Sequence, residues 1–141
     1  VGKTALIISA EKGYAEVCQI LLQGGASKHA KVPENGNTAL ISAAENEKSR
    51  VCQMLLEAKA SVNEKNNVGK TALIISAEKG YAEVCQILLQ GGASKHAKVP
   101  ENGNTALISA AENEKSRVCQ MLLEAKASVN EKNNVGKTAL I

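Results

Sequence analysis

Four cysteines and two histidines are the side chains best able to do chemistry in this chain, and their spacing argues against it. Cys18, Cys52, Cys85 and Cys119 each sit in the run Val-Cys-Gln-(Ile/Met)-Leu-Leu. A metal site needs ligands about two to four residues apart, or ligands converging from separate elements. His29 and His96 have neither Cys nor acidic partners at that spacing. The cysteines therefore read as core and the histidines as loop residues. Gly69-Lys70-Thr71 resembles the end of a phosphate-binding loop, but the first glycine of that motif would fall where Glu64 stands, and before Gly136 it would fall on Glu131. Nothing in the chain resembles a nucleophile beside its base. The expectation is of no catalytic residue, no cofactor and no metal.

The elements that carry these residues come from repetition, which decides architecture before local propensity does. Residues 68 to 141 reproduce residues 1 to 74 without a substitution, so the unit is 67 residues long. Within it, a shift of 34 lays Gly2, Thr4, Ala5, Leu6, Ile7, Ala10 and Glu11 on Gly36, Thr38, Ala39, Leu40, Ile41, Ala44 and Glu45. Val17-Cys18-Gln19 with Leu21-Leu22 falls likewise on Val51-Cys52-Gln53 with Leu55-Leu56. The chain thus divides into modules at about 1–34, 35–67, 68–101 and 102–134, with a partial one at 135–141.

In each module Thr4 can cap a short helix over residues 5–12, and Gly13 breaks it. A second helix over 15–23 has Val17, Cys18, Ile20, Leu21 and Leu22 on a wide apolar face, and Gly24-Gly25 ends it. Residues 26–37, with Pro33 and Asn35-Gly36, should project as an extended loop or hairpin. Helices this short are not stable alone in water, so neighbouring modules must bury one another's apolar faces. Tyr14 and Tyr81 are expected to pack between the helix pairs.

Composition agrees: there is no Phe, Trp or Asp, and the only aromatics are the two tyrosines. Net charge is +3 with Lys and Glu interspersed, which disfavours a nucleic-acid footprint. The basic cluster Lys28, His29 and Lys31, repeated at Lys95, His96 and Lys98, reads as a solvated edge. No apolar run approaches the roughly 18 residues of a membrane span. Equivalent cysteines in stacked modules would lie about 8–10 Å apart, beyond the ~5.5 Å between Cα atoms that a disulfide needs. Free buried thiols suit an intracellular, cytoplasmic setting. Val1 falls inside a module and no initiator Met or signal peptide is present, so the chain is expected to be a window of a longer array. Copying this exact points to recent duplication or to engineering.

The stretch Gly-Lys-Thr-Ala-Leu-Ile-Ile-Ser-Ala-Glu-Lys-Gly-Tyr-Ala-Glu-Val-Cys-Gln-Ile-Leu-Leu-Gln-Gly-Gly-Ala-Ser, from Gly2 to Ser27, resembles the ankyrin pattern G-x-T-P-L-H-x-A-A-x-x-G-H-x-E-V-V-x-L-L-L-x-x-G-A-D. The chain departs from it where Ala5 and Ala39 replace Pro and Ile7 and Ile41 replace His, removing the usual Thr–His bond. Glu47 and Lys59 stand at its glycine positions, where weaker or differently shaped turns are expected. The resemblance implies an all-α, ankyrin-type solenoid of stacked helix-turn-helix modules with projecting fingers. It also implies a non-catalytic protein-interaction scaffold whose partner lies on the concave face made by finger tips and first helices. Those positions are Lys3, Glu11, Lys12, Glu34, Asn35, Asn37, Glu45 and Asn46, with copies at Lys70, Glu78, Lys79, Glu101, Asn102, Asn104, Glu112 and Asn113. They are small or charged and lack the aromatic anchors that dominate tight interfaces. A structural alternative is therefore kept: identical units stack head to tail on other copies of themselves.

Overall fold

The computed structural model describes residues 2–140. Helices follow in pairs: α1 (Ala5–Lys12) and α2 (Ala15–Gln23), α3 (Ala39–Glu45) and α4 (Ser49–Glu57), α5 (Ala72–Lys79) and α6 (Ala82–Gln90), α7 (Ala106–Glu112) and α8 (Ser116–Glu124). No strand occurs among the described residues. The fold is all-α.

Each first helix begins at a threonine. The Oγ1 atoms of Thr4, Thr38, Thr71 and Thr105 accept the backbone N–H groups of Ile7, Ile41, Ile74 and Ile108 at 3.2–3.3 Å. Such a cap stabilises by about 1 kcal/mol, and it survives the loss of the Pro and His that ankyrin sequences place here.

The turns at the two non-glycine positions keep the regular shape, which corrects the expectation of a different one. Gly13 (φ 76) donates to Ala10 O at 3.1 Å and Tyr14 to Ser9 O at 2.9 Å. In the second module Glu47 (φ 59) donates to Ala44 O at 3.2 Å and Lys48 to Ala43 O at 2.8 Å. Lys59 (φ 68) repeats after α4 what Gly25 (φ 91) does after α2. The helices on either side fix the chain path, and the left-handed strain is borne by ordinary residues.

The first helices form one layer (α1, α3, α5, α7) and the second helices another (α2, α4, α6, α8). Leu6, Ile7, Leu40, Ile41, Leu73 and Ile74 project between them with Val51, Leu55, Val84, Leu88, Val118 and Leu122, all fully buried. Each such side chain contributes roughly 1.5–3 kcal/mol of burial. Tyr81 packs against this core as expected, but Tyr14 is 54% exposed.

The fingers close on themselves and on each other. Val32 N–H donates to Asn37 O at 2.9 Å and Gly36 N–H to Val32 O at 2.6 Å, while Val32 plugs into the core. One finger bonds the next through Asn67 N–H to Asn35 O at 2.9 Å, and Asn67 Nδ2 donates to Pro33 O at 3.2 Å. Asn134 repeats both contacts on Asn102 and Pro100.

Candidate partner-binding surface

Along the layer of first helices the modules place a row of carboxylates, Glu11, Glu45, Glu78 and Glu112, each held by the base of its own finger. Lys3 Nζ lies 2.8 Å from Glu11 and Lys70 Nζ 3.0 Å from Glu78. In the even modules a neutral amide takes the lysine's place. Asn37 Nδ2 donates to Glu45 at 3.3 Å and Asn104 Nδ2 to Glu112 at 2.7 Å. The row therefore alternates: Glu11 and Glu78 face a lysine ammonium, whereas Glu45 and Glu112 face a neutral amide. The hydrogen bond from Lys3 to Glu11, and then the charge of Glu11, hold the Lys3 ammonium above the usual lysine range.

The structure divides the sixteen sequence-derived positions. Lys3, Lys12, Glu34, Asn46, Lys79, Glu101, Glu112 and Asn113 are exposed, as are Asn35 and Asn102 at the finger tips. Glu11, Glu45, Lys70 and Glu78 are half-buried. Asn37 and Asn104 are corrected out of a contact surface, because each is only 3% exposed. Their amides are spent inside the fold: Asn66 Nδ2 donates to Asn37 Oδ1 at 3.1 Å, and Asn133 Nδ2 to Asn104 Oδ1 at 3.0 Å. Asn66 and Asn133 escaped the sequence reading, although paired asparagines are a turn signal. Asn46 and Asn113 bond back to Ser42 O and Ser109 O at 2.7 and 2.8 Å, which fixes them at the helix ends.

The basic edge is compensated. Lys31 Nζ sits 3.1 Å from Glu64 and Lys98 Nζ 2.9 Å from Glu131, and each lysine also donates to a neighbouring carbonyl. The bond from Lys98, then its charge, lowers the Glu131 carboxyl below the usual range. His29 Nε2 accepts the Ser61 N–H at 3.3 Å, so it braces two fingers.

Cys18, Cys52 and Cys85 are free and buried, and Cys119 is partly exposed. Desolvation pushes the Cys52 thiol up to about 12 and the Cys85 thiol up to about 11. Ser9 Oγ and Cys18 Sγ lie 3.3 Å apart, as do Ser76 and Cys85, but both pairs are buried and carry no base. Among the described residues no three His, Cys, Asp or Glu side chains converge as metal ligands would, and no helix is long and apolar enough to cross a membrane.

Paired short helices, capped alike and stacked in two layers beneath linked fingers, define a helical repeat solenoid. A family model for ankyrin repeats, in three copies, matches residues 1–66 and 58–133. The chain belongs to the ankyrin repeat family. No curated protein matches it.

Proposed function

We propose that the chain is a non-catalytic protein-interaction scaffold that takes its partner across the first-helix and finger face. Ankyrin repeats generally mediate protein–protein contacts. What carries the reading to this face is the fixed row of Glu11, Glu45, Glu78 and Glu112, each immobilised by its own finger, so that little side-chain entropy is lost when a partner binds. The exposed Lys12, Lys79, Asn46 and Asn113 flank the row. Glu45 and Glu112, which have no lysine at the finger base, are the anionic points offered to a partner's cations. Reversing both (Glu45→Lys with Glu112→Lys) should weaken partner capture by about tenfold or more, ~1.4 kcal/mol, with helix content unchanged. Capture that survives the reversal would move the interface elsewhere. The free, buried thiols fit a reducing, intracellular compartment.

A second reading is self-association. It is supported by the exact identity of the 67-residue units, which present like surfaces to one another.

A further inference from the structure

Charge on the second-helix layer follows a pattern that the fold itself does not use. Arg50, Gln53, Met54 and Glu57 stand at i, i+3, i+4 and i+7, so they form one stripe along the outer side of α4. Arg50, Gln53 and Glu57 are exposed although α4 packs against α2 on one side and α6 on the other. Arg117, Gln120, Met121 and Glu124 repeat the stripe on α8, and Arg50 and Arg117 are the only arginines in the chain. Both charges oppose the dipole of their helix. A helix macrodipole favours anions in the first turn and cations in the last, and the odd modules comply with Glu16 and Glu83 in the first turns of α2 and α6. By contrast, α4 and α8 carry no acidic residue in the first turn and no basic residue in the last; each begins with the arginine and ends on the glutamate. Nothing within the chain offsets this. Among the described residues Arg50, Glu57, Arg117 and Glu124 make no ion pair and no side-chain hydrogen bond.

We infer that α4 pairs antiparallel with α4 of a second copy of this chain, across a two-fold axis that passes between Gln53 and Met54. The stripe is self-complementary: seven residues, or about 10 Å along the helix, separate the opposite charges, and reversal about the midpoint exchanges them. Arg50 then meets the second copy's Glu57, and Glu57 meets the second copy's Arg50. The Gln53 amides, donors and acceptors at once, meet beside the axis. Met54 lies in a groove of ≈ 300 Å³ where α4 adjoins Gln19 of α2. The antiparallel arrangement also brings opposite ends of the two helix dipoles together. Next to Gln86 of α6, α8 offers the same stripe with a groove of ≈ 280 Å³, so each chain carries the site twice. This pairing rests on the self-association reading and assigns it to one face. A two-fold contact is isologous and closed, so it joins arrays side by side and leaves the stacking direction untouched.

Charge exchange tests the pairing. One variant carries Arg50→Glu with Arg117→Glu, and the other carries Glu57→Arg with Glu124→Arg. All four positions are exposed, and each change brings its helix end into line with the dipole, so both variants should keep an unchanged circular dichroism spectrum. In sedimentation velocity over a rising concentration series, the unmodified chain should form multiples of the single-chain mass. Each variant alone sets like charges against each other at every contact and should weaken association by at least about tenfold. An equimolar mixture of the two should regain it, because one stripe is then wholly acidic and the other wholly basic. A chain that stays single at every concentration overturns both the pairing and the self-association reading. Association that either variant leaves intact, or a loss that the mixture fails to reverse, overturns the pairing alone.

Discussion

Lys59 at φ 68 and Lys126 at φ 70 hold the left-handed conformation after α4 and α8, where the first and third modules use glycine. A β-carbon there is disfavoured by about 1–2 kcal/mol, and glycine gives back about 0.5–1 kcal/mol in unfolded-chain entropy. Lys59→Gly should thus raise stability by about 0.5–1 kcal/mol, read as a higher urea midpoint at constant slope; a lower midpoint would mean that the lysine stem contributes packing beyond its conformational strain. At this scale the threonine caps were legible, since Thr before an apolar helical run has one common use. The burial of Asn37 was not, because its partner Asn66 lies 29 residues away and a polar side chain at a finger base otherwise reads as surface.

The helices were legible almost to the residue: α1 and α2 occupy the ranges that Thr4, Gly13 and Gly24-Gly25 punctuate. The fingers were less so, because what shapes them is the sideways bond from Asn67 to Asn35, which a reading of one module does not contain. Gly36 shows the consequence. Its φ is +73, and a β-carbon there would stand 2.7 Å from the Asn67 backbone nitrogen, an atom that cannot swing away. Gly25, at φ +91, has nothing within 4 Å of the same position. Gly25→Ala should therefore lose only the conformational penalty, about 1 kcal/mol, while Gly36→Ala should lose about 2 kcal/mol or more, since two fingers must part. Equal losses in thermal or urea unfolding would show that finger-to-finger contact contributes nothing to the stack.

In the whole molecule, identical sequence does not mean identical stability. α2 and α6 share every residue, yet Val17 is 45% and Val84 0% exposed, because α6 lies between α4 and α8 while α2 has a neighbour on one side only. In a stack held by nearest-neighbour interfaces, local opening within these 141 residues should be easier for a helix with one such neighbour than for a helix with two. Hydrogen exchange isolates this effect, since identical peptides have the same intrinsic exchange rates and any difference is structural. A Ser27→Ala marker on the exposed loop after α2 separates the two peptides by mass. The peptide covering Ala15–Gln23 should exchange at least about tenfold faster than that covering Ala82–Gln90, the factor expected if the second interface of α6 is worth ~1.4 kcal/mol. Equal protection would mean that the modules open only together. Stacking would then be so strongly coupled that the uncovered face of α2 leaves its own helix no weaker than the covered one.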